Sequence, residues 1–420
     1  MKCYKALSFL LTLLAAGIHT VRAQFDSGST GTDPLVVTAG TTVTNDLPPD
    51  GKLHYTTITI GNNATLRFRR NALNTPVYLL AKGNVVIDGT IDVSGRGTGT
   101  NAYVGGEPGP GGFAGGAPGF LPQVGPGSTV TATGGSGLGP GGGRDLTGWR
   151  DGYYAFTNRF DLANTGYGYA HLIPLVGGSG GCGASNSIAG GGGGGGGAIL
   201  IASSTRIQIN ASGKILANGG PKDTATHPAS ITSGYGSGGA IRLVAPMVLG
   251  TGTLDVRAAQ PTEFSFLRGR IRIDSVLRYD PADPTNPANR FNLSAAGIVG
   301  NNQSNPDDRV WAVGTTMIVF PTSQPRLDIV QVGTSSIPQG TNNPVVITLP
   351  PGANTNQLVT VRASDFNVAV PIRLVVTPEN GYPAGYDLTI DNSAVGFAEG
   401  QTNVSLPLNM RAFIHAWTRP

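Results

Sequence analysis

The chain has 420 residues, among them 65 glycines and 30 prolines, with 12% charged and 39% apolar residues. This much glycine and proline excludes a helical protein, and the low charge excludes a strongly acidic or basic disordered chain. Long apolar runs are too few for a protein with several membrane-spanning helices, so the composition favours an all-β globular or fibrous fold.

Residues 1–23 predict a cleaved secretory signal peptide. Two lysines precede an apolar stretch at 6–18, and Ala23 is the small residue expected before the cut. The stretch is short for a membrane span and no second one follows, so we expect a secreted, extracellular protein without a transmembrane segment. Removing Lys2, Lys5 and Arg22 lowers the formal net charge from +4 to +1, which argues against nucleic acid as a partner.

Three short strands recur along the first part of the chain. The copies, some of them partial, lie at 57–68, 76–94, 197–219, 239–258 and 269–274. Apolar side chains alternate with polar ones in these strands, so each strand buries one face only. Because one such turn cannot bury its apolar face alone, the repeats predict a stacked parallel β-helix, or β-solenoid, over 24–280.

The alternation also predicts which side chains meet inside this stack. Two inward rows are expected, namely Ile91, Ile215 and Leu254, followed by Val93, Ala217 and Val256. The outward row between them holds Asp92, Leu216 and Asp255, so this face of the strands tolerates charge.

A glycine-rich insertion separates two copies at about 95–197. It holds 37 of the 65 glycines, including the unbroken run at 190–197. Such a stretch cannot build a side-chain core, so it is either a flexible loop or a set of polyproline-II-like segments packed backbone to backbone. The mixture of glycine with proline favours partial order. Cys182 is the one cysteine left after signal removal, so no intramolecular disulfide is predicted.

Seven aromatic residues fall within 149–169 of this insertion. Flat rings with polar rims stack on sugars, so five of them are candidate ligand-binding residues: Trp149, Tyr153, Tyr154, Tyr167 and Tyr169. The alternative is a hydrophobic plug that ties the insertion to the outside of the solenoid. The plug is the favoured interpretation, because a glycine-rich loop has little else to hold it in place.

The composition and the strand pattern of the sequence change after residue 280. Residues 281–325 are rich in proline and asparagine, with one apolar strand near 316–320, and predict a closing turn and a linker. Seven alternating segments within 326–420 then predict a small antiparallel β-sandwich of the immunoglobulin-like kind. These segments are 327–330, 345–349, 358–361, 372–376, 386–390, 404–406 and 412–417.

Three stretches, namely 50–95, the glycine run before 198–204, and 238–245, resemble glycine-rich secreted bacterial proteins with a predicted right-handed parallel β-helix. The resemblance covers about 35–280. It implies a solenoid of the broad pectin-lyase-like type and transfers no catalytic residues.

Proteins with pectin-lyase-like folds often degrade acidic polysaccharides, so clustered acids are the first chemistry to look for. Glycosidic hydrolysis needs two carboxyl groups several ångströms apart, and Asp88, Asp92 and Asp255 are the best candidates. Leu216 interrupts their row, however, and the polygalacturonase signatures are absent. Arg270 and Arg272 continue the strand pattern and are expected to face solvent.

No metal or cofactor is predicted. The histidines outside the signal peptide, His54, His171, His227 and His415, are isolated in the sequence. Clustered oxygens in turns such as 305–308 are compatible with calcium, but neither an EF-hand loop nor a nine-residue calcium repeat is present.

The sequence therefore favours a non-enzymatic structural or adhesive protein of the cell surface or extracellular matrix. Its expected partner is a polysaccharide or another cell-surface component. A polysaccharide lyase or glycoside hydrolase of the β-helix type stays open as the alternative, with the three aspartates as its catalytic candidates. Nothing in the sequence indicates an oligomeric state.

Overall fold

The computed structural model describes residues 25–98, 104–119, 134–144, 150–152, 154, 171–185, 190–223, 233–259, 268–278, 282, 294–296, 311–320, 325–338, 345–379, 381–394 and 396–418. These residues form strands, turns and extended segments, with no helix among them. The fold is all-β and consists of three parallel sheets followed by two antiparallel sheets.

The parallel sheets take strands from successive turns of the chain. In chain order the strands are β1 (Leu35–Val37), β2 (Thr42–Asp46), β3 (Lys52–Tyr55), β4 (Ile58–Ile60), β5 (Thr65–Arg69), β6 (Val77–Ala81), β7 (Val85–Ile87), β8 (Thr90–Asp92), β9 (Ala198–Ser203), β10 (Arg206–Ile209), β11 (Lys214–Leu216), β12 (Ala240–Val244), β13 (Met247–Gly250), β14 (Thr253–Asp255), β15 (Arg270–Asp274), β16 (Ser294–Ala296) and β17 (Trp311–Gly314). Sheet A has the order β1-β4-β7-β10-β13, sheet B β2-β5-β8-β11-β14-β16, and sheet C β3-β6-β9-β12-β15-β17. Strands that are three apart in chain order almost always lie next to each other in the same sheet, which is consistent with a parallel β-helix. We call these three sheets the parallel stack.

The interior of the parallel stack contains the predicted rows. Ile215 pairs in register with Ile91 on one side and with Leu254 on the other, and all three side chains are fully buried. Val93, Ala217 and Val256 lie in the same apolar cluster. This prediction is confirmed. Each fully buried aliphatic side chain of this kind contributes about 1.5–3 kcal/mol, so the stacked rows are a main source of stability.

Seven strands form the two antiparallel sheets, which we call the antiparallel unit. They are β18 (Arg326–Val332), β19 (Ser335–Ser336), β20 (Asn356–Ser364), β21 (Ala369–Pro378), β22 (Ala384–Asp391), β23 (Phe397–Ser405) and β24 (Ala412–Thr418). The sheet orders are β19-β18-β20-β23 and β22-β21-β24, and side chains from both sheets share one apolar cluster.

Two predicted strands are wrong. Segment 345–349 is not a strand, and Val346 is 87% exposed. It stands between Pro344 and Pro350, and prolines lack the N–H group that a strand ladder needs. The strand expected near 316–320 lies instead at Trp311–Gly314, and the residues after it cross the outer face of sheet C.

The described parts of the glycine-rich insertion pack backbone to backbone. Segment 190–197 donates hydrogen bonds of 2.8–2.9 Å to three neighbouring segments in strict rotation, with every third residue facing the same neighbour. The donor–acceptor pairs are Gly192 to Gly116, Gly195 to Phe113, Gly193 to Gly234, Gly196 to Ser237, Gly194 to Arg96, and Gly197 to Val93. The hydrogen bonds repeat every three residues and none of Gly191–Gly197 has a positive φ, which is typical of a polyproline-II-like conformation.

Six segments surround segment 190–197 in a closed ring. In order around the ring they are 93–97, 105–109, 112–116, 178–182, 233–238 and 217–220, and each adjacent pair shares a backbone hydrogen bond. We call this arrangement the glycine bundle. Of the two interpretations of the insertion, backbone packing is confirmed for its described parts.

Glycine is required at the centre of this ring. A Cβ atom added at any position of Gly191–Gly197 would lie closer than 3.0 Å to a backbone oxygen of a neighbouring segment. The backbone N–H and C=O groups here bond between segments, as they must when they are removed from water. The unbroken glycine run is thus explained by packing.

Candidate functional site

The outward face of sheet B carries two columns of mostly polar side chains. One column is Thr42, Thr65, Thr90, Lys214 and Thr253, and the other is Thr44, Arg67, Asp92, Leu216 and Asp255, each in register across adjacent strands. They point outward because the residues between them are the buried apolar rows. We call these ten residues the sheet B ladder. Its steps are one strand spacing, about 4.8 Å.

The ladder contains two of the three candidate catalytic acids, and each is ion-paired. The Arg67 Nε lies 3.2 Å from the Asp92 Oδ2, and the Arg257 Nη2 lies 2.7 Å from the Asp255 Oδ2. Leu216 stands between the two acids in the register, so their strands are two spacings apart. Their carboxylates are held by arginines and do not face each other as an acid pair.

Asp88 lies outside this ladder. It occupies the turn between β7 and β8, where the Asn210 Nδ2 donates to its Oδ1 at 2.7 Å and the Ser212 hydroxyl donates to its main-chain carbonyl. The structure therefore does not bring Asp88 together with Asp92 and Asp255. These contacts link the turns of neighbouring strands.

Tyr154 is the one aromatic candidate among the described residues, and it is 1% exposed. Its hydroxyl donates to the Val176 carbonyl at 3.0 Å, and its ring packs in an apolar cluster on the outer side of sheet C. Burial raises the pKa of this phenol. Such a position fits the plug interpretation. Trp149, Tyr153, Tyr167 and Tyr169 lie outside the described residues.

A buried cluster of charges on sheet C was missed by the sequence reasoning. Arg242 and Arg272 are register neighbours, and both bond to Asp274, at 3.3 Å and 2.7 Å. Arg242 is 1% exposed and Asp274 is fully buried. The expectation of solvent-facing arginine is therefore wrong for Arg272. Burial lowers the pKa of Arg242, and Asp274 opposes that change.

The arginines are buried because segment 315–320 covers them. Arg242 donates to the Ile318 carbonyl at 2.6 Å, and the Thr316 N–H donates to Asp274 at 3.1 Å. Further along, the Phe320 ring lies 5.3 Å from the Tyr78 ring, and burial raises the pKa of Tyr78 to about 12. This contact joins residues far apart in the chain, so strand alternation alone could not reveal it.

One further acid is perturbed at the edge of the glycine bundle. Burial raises the pKa of Asp151, although the Tyr235 N–H donates to its Oδ1 at 2.8 Å. The Lys222 Nζ lies 5.2 Å from the centre of the Tyr235 ring. This carboxyl therefore lies beside the Tyr235 main chain, with a lysine over the ring of the same tyrosine.

Metal, thiol and membrane chemistry find no support in the described part of the chain. It contains no group of three or more His, Cys, Asp or Glu side chains placed to hold a metal ion. Cys182 is fully buried within the glycine bundle. No helix there is long and apolar enough to cross a membrane. The turn at 305–308, considered above for calcium, lies outside the described residues.

Comparison with known proteins adds no relationship. No protein-family model matches the sequence, and no curated protein or solved structure is significantly similar to it.

Proposed function

We propose that this protein is a non-enzymatic, extracellular scaffold with a structural or adhesive role, and that it binds a polysaccharide or another cell-surface component. In this proposal residues 1–23 are a signal peptide, 24–280 form a parallel β-helix with the glycine-rich insertion, and 281–325 close it. Residues 326–420 form an immunoglobulin-like sandwich that acts as a spacer.

The observation that carries the proposal is the sheet B ladder. From Thr42 to Lys214 it presents hydroxyl and charged groups at a constant spacing on a rigid sheet, which suits a repeating polymer better than a small substrate. Asp255, at the far end of the ladder, is 3% exposed and does not take part in this surface. Lys214 is exposed and stands between Thr90 and Thr253, so it offers a cation flanked by hydroxyl groups. The two ladder acids are engaged by arginines, which favours binding over acid–base catalysis.

The packing of the first described residues is compatible with the expected cleavage after Ala23. Phe25, two positions after the expected cut, packs against the apolar cluster outside sheet C. The Ser27 hydroxyl then donates to the Ala81 carbonyl at 2.7 Å. Removal of residues 1–23 would thus leave this packed segment intact.

The test is co-sedimentation of the mature protein with insoluble plant and bacterial polysaccharides and with isolated cell envelopes. We expect binding to at least one of them, weakened about tenfold by Lys214→Ala. Lys82→Ala removes an exposed lysine from a turn outside sheet B and serves as the matched control. Equal binding by both variants, or no binding to any material, would contradict a role for the ladder.

The same incubations separate the scaffold from the enzyme alternative. A scaffold releases no new reducing ends and no unsaturated sugars. Products that form with the parent protein and disappear with Asp92→Ala would instead establish a lyase or hydrolase. The variant must still fold, which circular dichroism checks.

A further inference from the structure

The antiparallel unit touches the glycine bundle through an aromatic contact. The Phe113 ring, from the bundle, packs against two rings on β24: its centre lies 6.5 Å from that of His415 and 5.4 Å from that of Trp417. Both contacts are nearly perpendicular, at 86° and 80°. Edge-to-face geometry of this kind is favourable for aromatic pairs.

Main-chain contacts lie beside these rings. Gly135 forms a parallel bridge with Gly381, and the Ser136 hydroxyl donates to the Gly381 carbonyl at 3.1 Å. A Cβ at Gly135 would lie 2.6 Å from the Glu379 carbonyl oxygen. Gly135 is itself hydrogen-bonded to Ala117 and Gly183, which directly follow two segments of the bundle. The antiparallel unit therefore contacts the insertion beside the bundle as well as through Phe113.

His415 stands in the middle of this contact. Alternation along β24 puts Phe413, His415 and Trp417 on one face, away from the apolar cluster of the antiparallel unit. The imidazole is stacked between the two rings, 6.4 Å from Phe413 and 5.5 Å from Trp417. The Phe113 ring packs against the same imidazole at a nearly perpendicular angle. The side chain of His415 is partly exposed, and desolvation by the surrounding rings lowers its pKa to about 4.

The charged groups near His415 already have partners. On β21 and β22, Arg373, the register partner of Trp417, is paired with Asp387 at 2.7 Å. Beyond the Phe413 end, Arg411 is paired with Glu379 at 2.6 Å. The register partner of His415 itself is Val375, and the bundle contributes the apolar Phe113. Among the described residues, no carboxylate forms a hydrogen bond or ion pair with the His415 imidazole.

We propose that the Phe113–His415–Trp417 contact is an acid-released latch, which holds the antiparallel unit against the glycine bundle while His415 is neutral and lets go when His415 is protonated. Release would turn a fixed spacer into a mobile one, with both parts still folded. The proposal does not depend on the identity of any ligand.

The direction of the effect follows from linkage. In the open form His415 is hydrated and takes up a proton near its ordinary pKa of about 6.5, whereas the closed form resists protonation until about pH 4. The equilibrium constant for closing is therefore independent of pH above about 6.5, and it decreases as the pH falls from 6.5 to about 4. Across this window the shift sets an upper limit of about two orders of magnitude on the loss, and the partial exposure of His415 makes the actual loss smaller.

Small-angle X-ray scattering of the mature protein between about pH 7 and pH 3.5 tests the latch, with circular dichroism at each pH. We expect the radius of gyration to rise as the pH falls from about 6.5 to 4, without loss of β signal. His415→Phe keeps a stacked ring but cannot be protonated, so it should stay compact. His415→Gln is a second non-titrating variant, in case the first does not fold.

Two further variants complete the design. Phe113→Ala removes the bundle's side of the contact and should give the expanded form at neutral pH. His171→Gln removes an exposed histidine outside the contact and should behave like the parent. The proposal is overturned if the parent stays compact at pH 3.5. It is equally overturned if the non-titrating variants expand as the parent does, or if expansion coincides with loss of the β signal.

Discussion

Gly194 and Gly195 lie near the middle of the central segment of the glycine bundle, enclosed by the main chains of other segments. A Cβ on Gly194 would meet the Glu107 carbonyl, and one on Gly195 would meet the Gly178 carbonyl, in each case at less than 3.0 Å. Backbone oxygens in a closed ring cannot move aside as a flexible side chain could. Each central glycine is therefore required for packing, just as a buried leucine is required to fill an apolar core.

Gly195→Ala should destabilise the protein by at least about 3 kcal/mol, since the new methyl group overlaps a fixed backbone. Urea unfolding measures this. Gly385→Ala is the matched control, because its Cβ would meet only the Arg373 side chain at 3.5 Å. A change below about 1 kcal/mol for Gly195→Ala would show that the ring is looser than described here.

Asp274→Asn should cost about 3–5 kcal/mol, because it leaves Arg242 and Arg272 buried without their shared counter-charge. Asp387→Asn breaks an ion pair that is partly open to solvent, and should cost about 0–1 kcal/mol. Thermal unfolding of both variants gives the comparison. Equal losses would mean that segment 315–320 does not keep the sheet C cluster away from water.

Cys182 should be unreactive in the folded protein, since its side chain is fully buried. A thiol reagent should modify less than about a tenth of the protein under native conditions and all of it after denaturation. Fast native modification would place the thiol at the surface and contradict its position in the bundle.

At the scale of the strand, alternation decides which substitutions matter. Ile215 faces the interior of the parallel stack and Leu216, its neighbour in β11, faces the sheet B ladder. Ile215→Ala should cost about 2–5 kcal/mol and Leu216→Ala about 1 kcal/mol or less. Chemical denaturation of the two variants checks the order, and a larger loss for Leu216→Ala would reverse the assignment of the two faces.

Elements defined by local periodicity could be predicted from the sequence, because alternate residues of a strand point to opposite faces. The row of Ile91, Ile215 and Leu254 is an example. Arg242 and Arg272 could not be assigned in this way. Their burial depends on segment 315–320, which returns over sheet C from a distant part of the chain. The strand expected at 345–349 failed because flanking prolines outweigh its apolar pattern.

The candidate site shows the same division. The outward row of Asp92, Leu216 and Asp255 follows from alternation and lies where the sequence put it. Its ion pairs with Arg67 and Arg257 depend on side-chain geometry and could not be predicted. The contact of Phe113 with His415 joins two parts of the chain with no shared pattern, so no sequence signal pointed to it.

At the scale of the whole molecule, two different kinds of interior stand side by side. The parallel stack is held by buried aliphatic side chains, and the glycine bundle by hydrogen bonds between main chains. The parallel stack loses stability when buried apolar surface is removed, and the glycine bundle loses stability when the spacing between its backbones is changed. Neither interior leaves room for large internal motion, as the proposed scaffold role requires.

Amide hydrogen exchange of Gly191–Gly197 tests this account most directly. These residues belong to no helix or strand, yet the N–H groups of Gly192–Gly197 donate to the surrounding segments at 2.8–2.9 Å. We expect their exchange to be slowed to the level of the buried strands β9 and β12, at least about a thousandfold below an unstructured chain. Exchange of these amides at the rate of an unstructured glycine loop would contradict the ring of six segments and the rigid scaffold built on it.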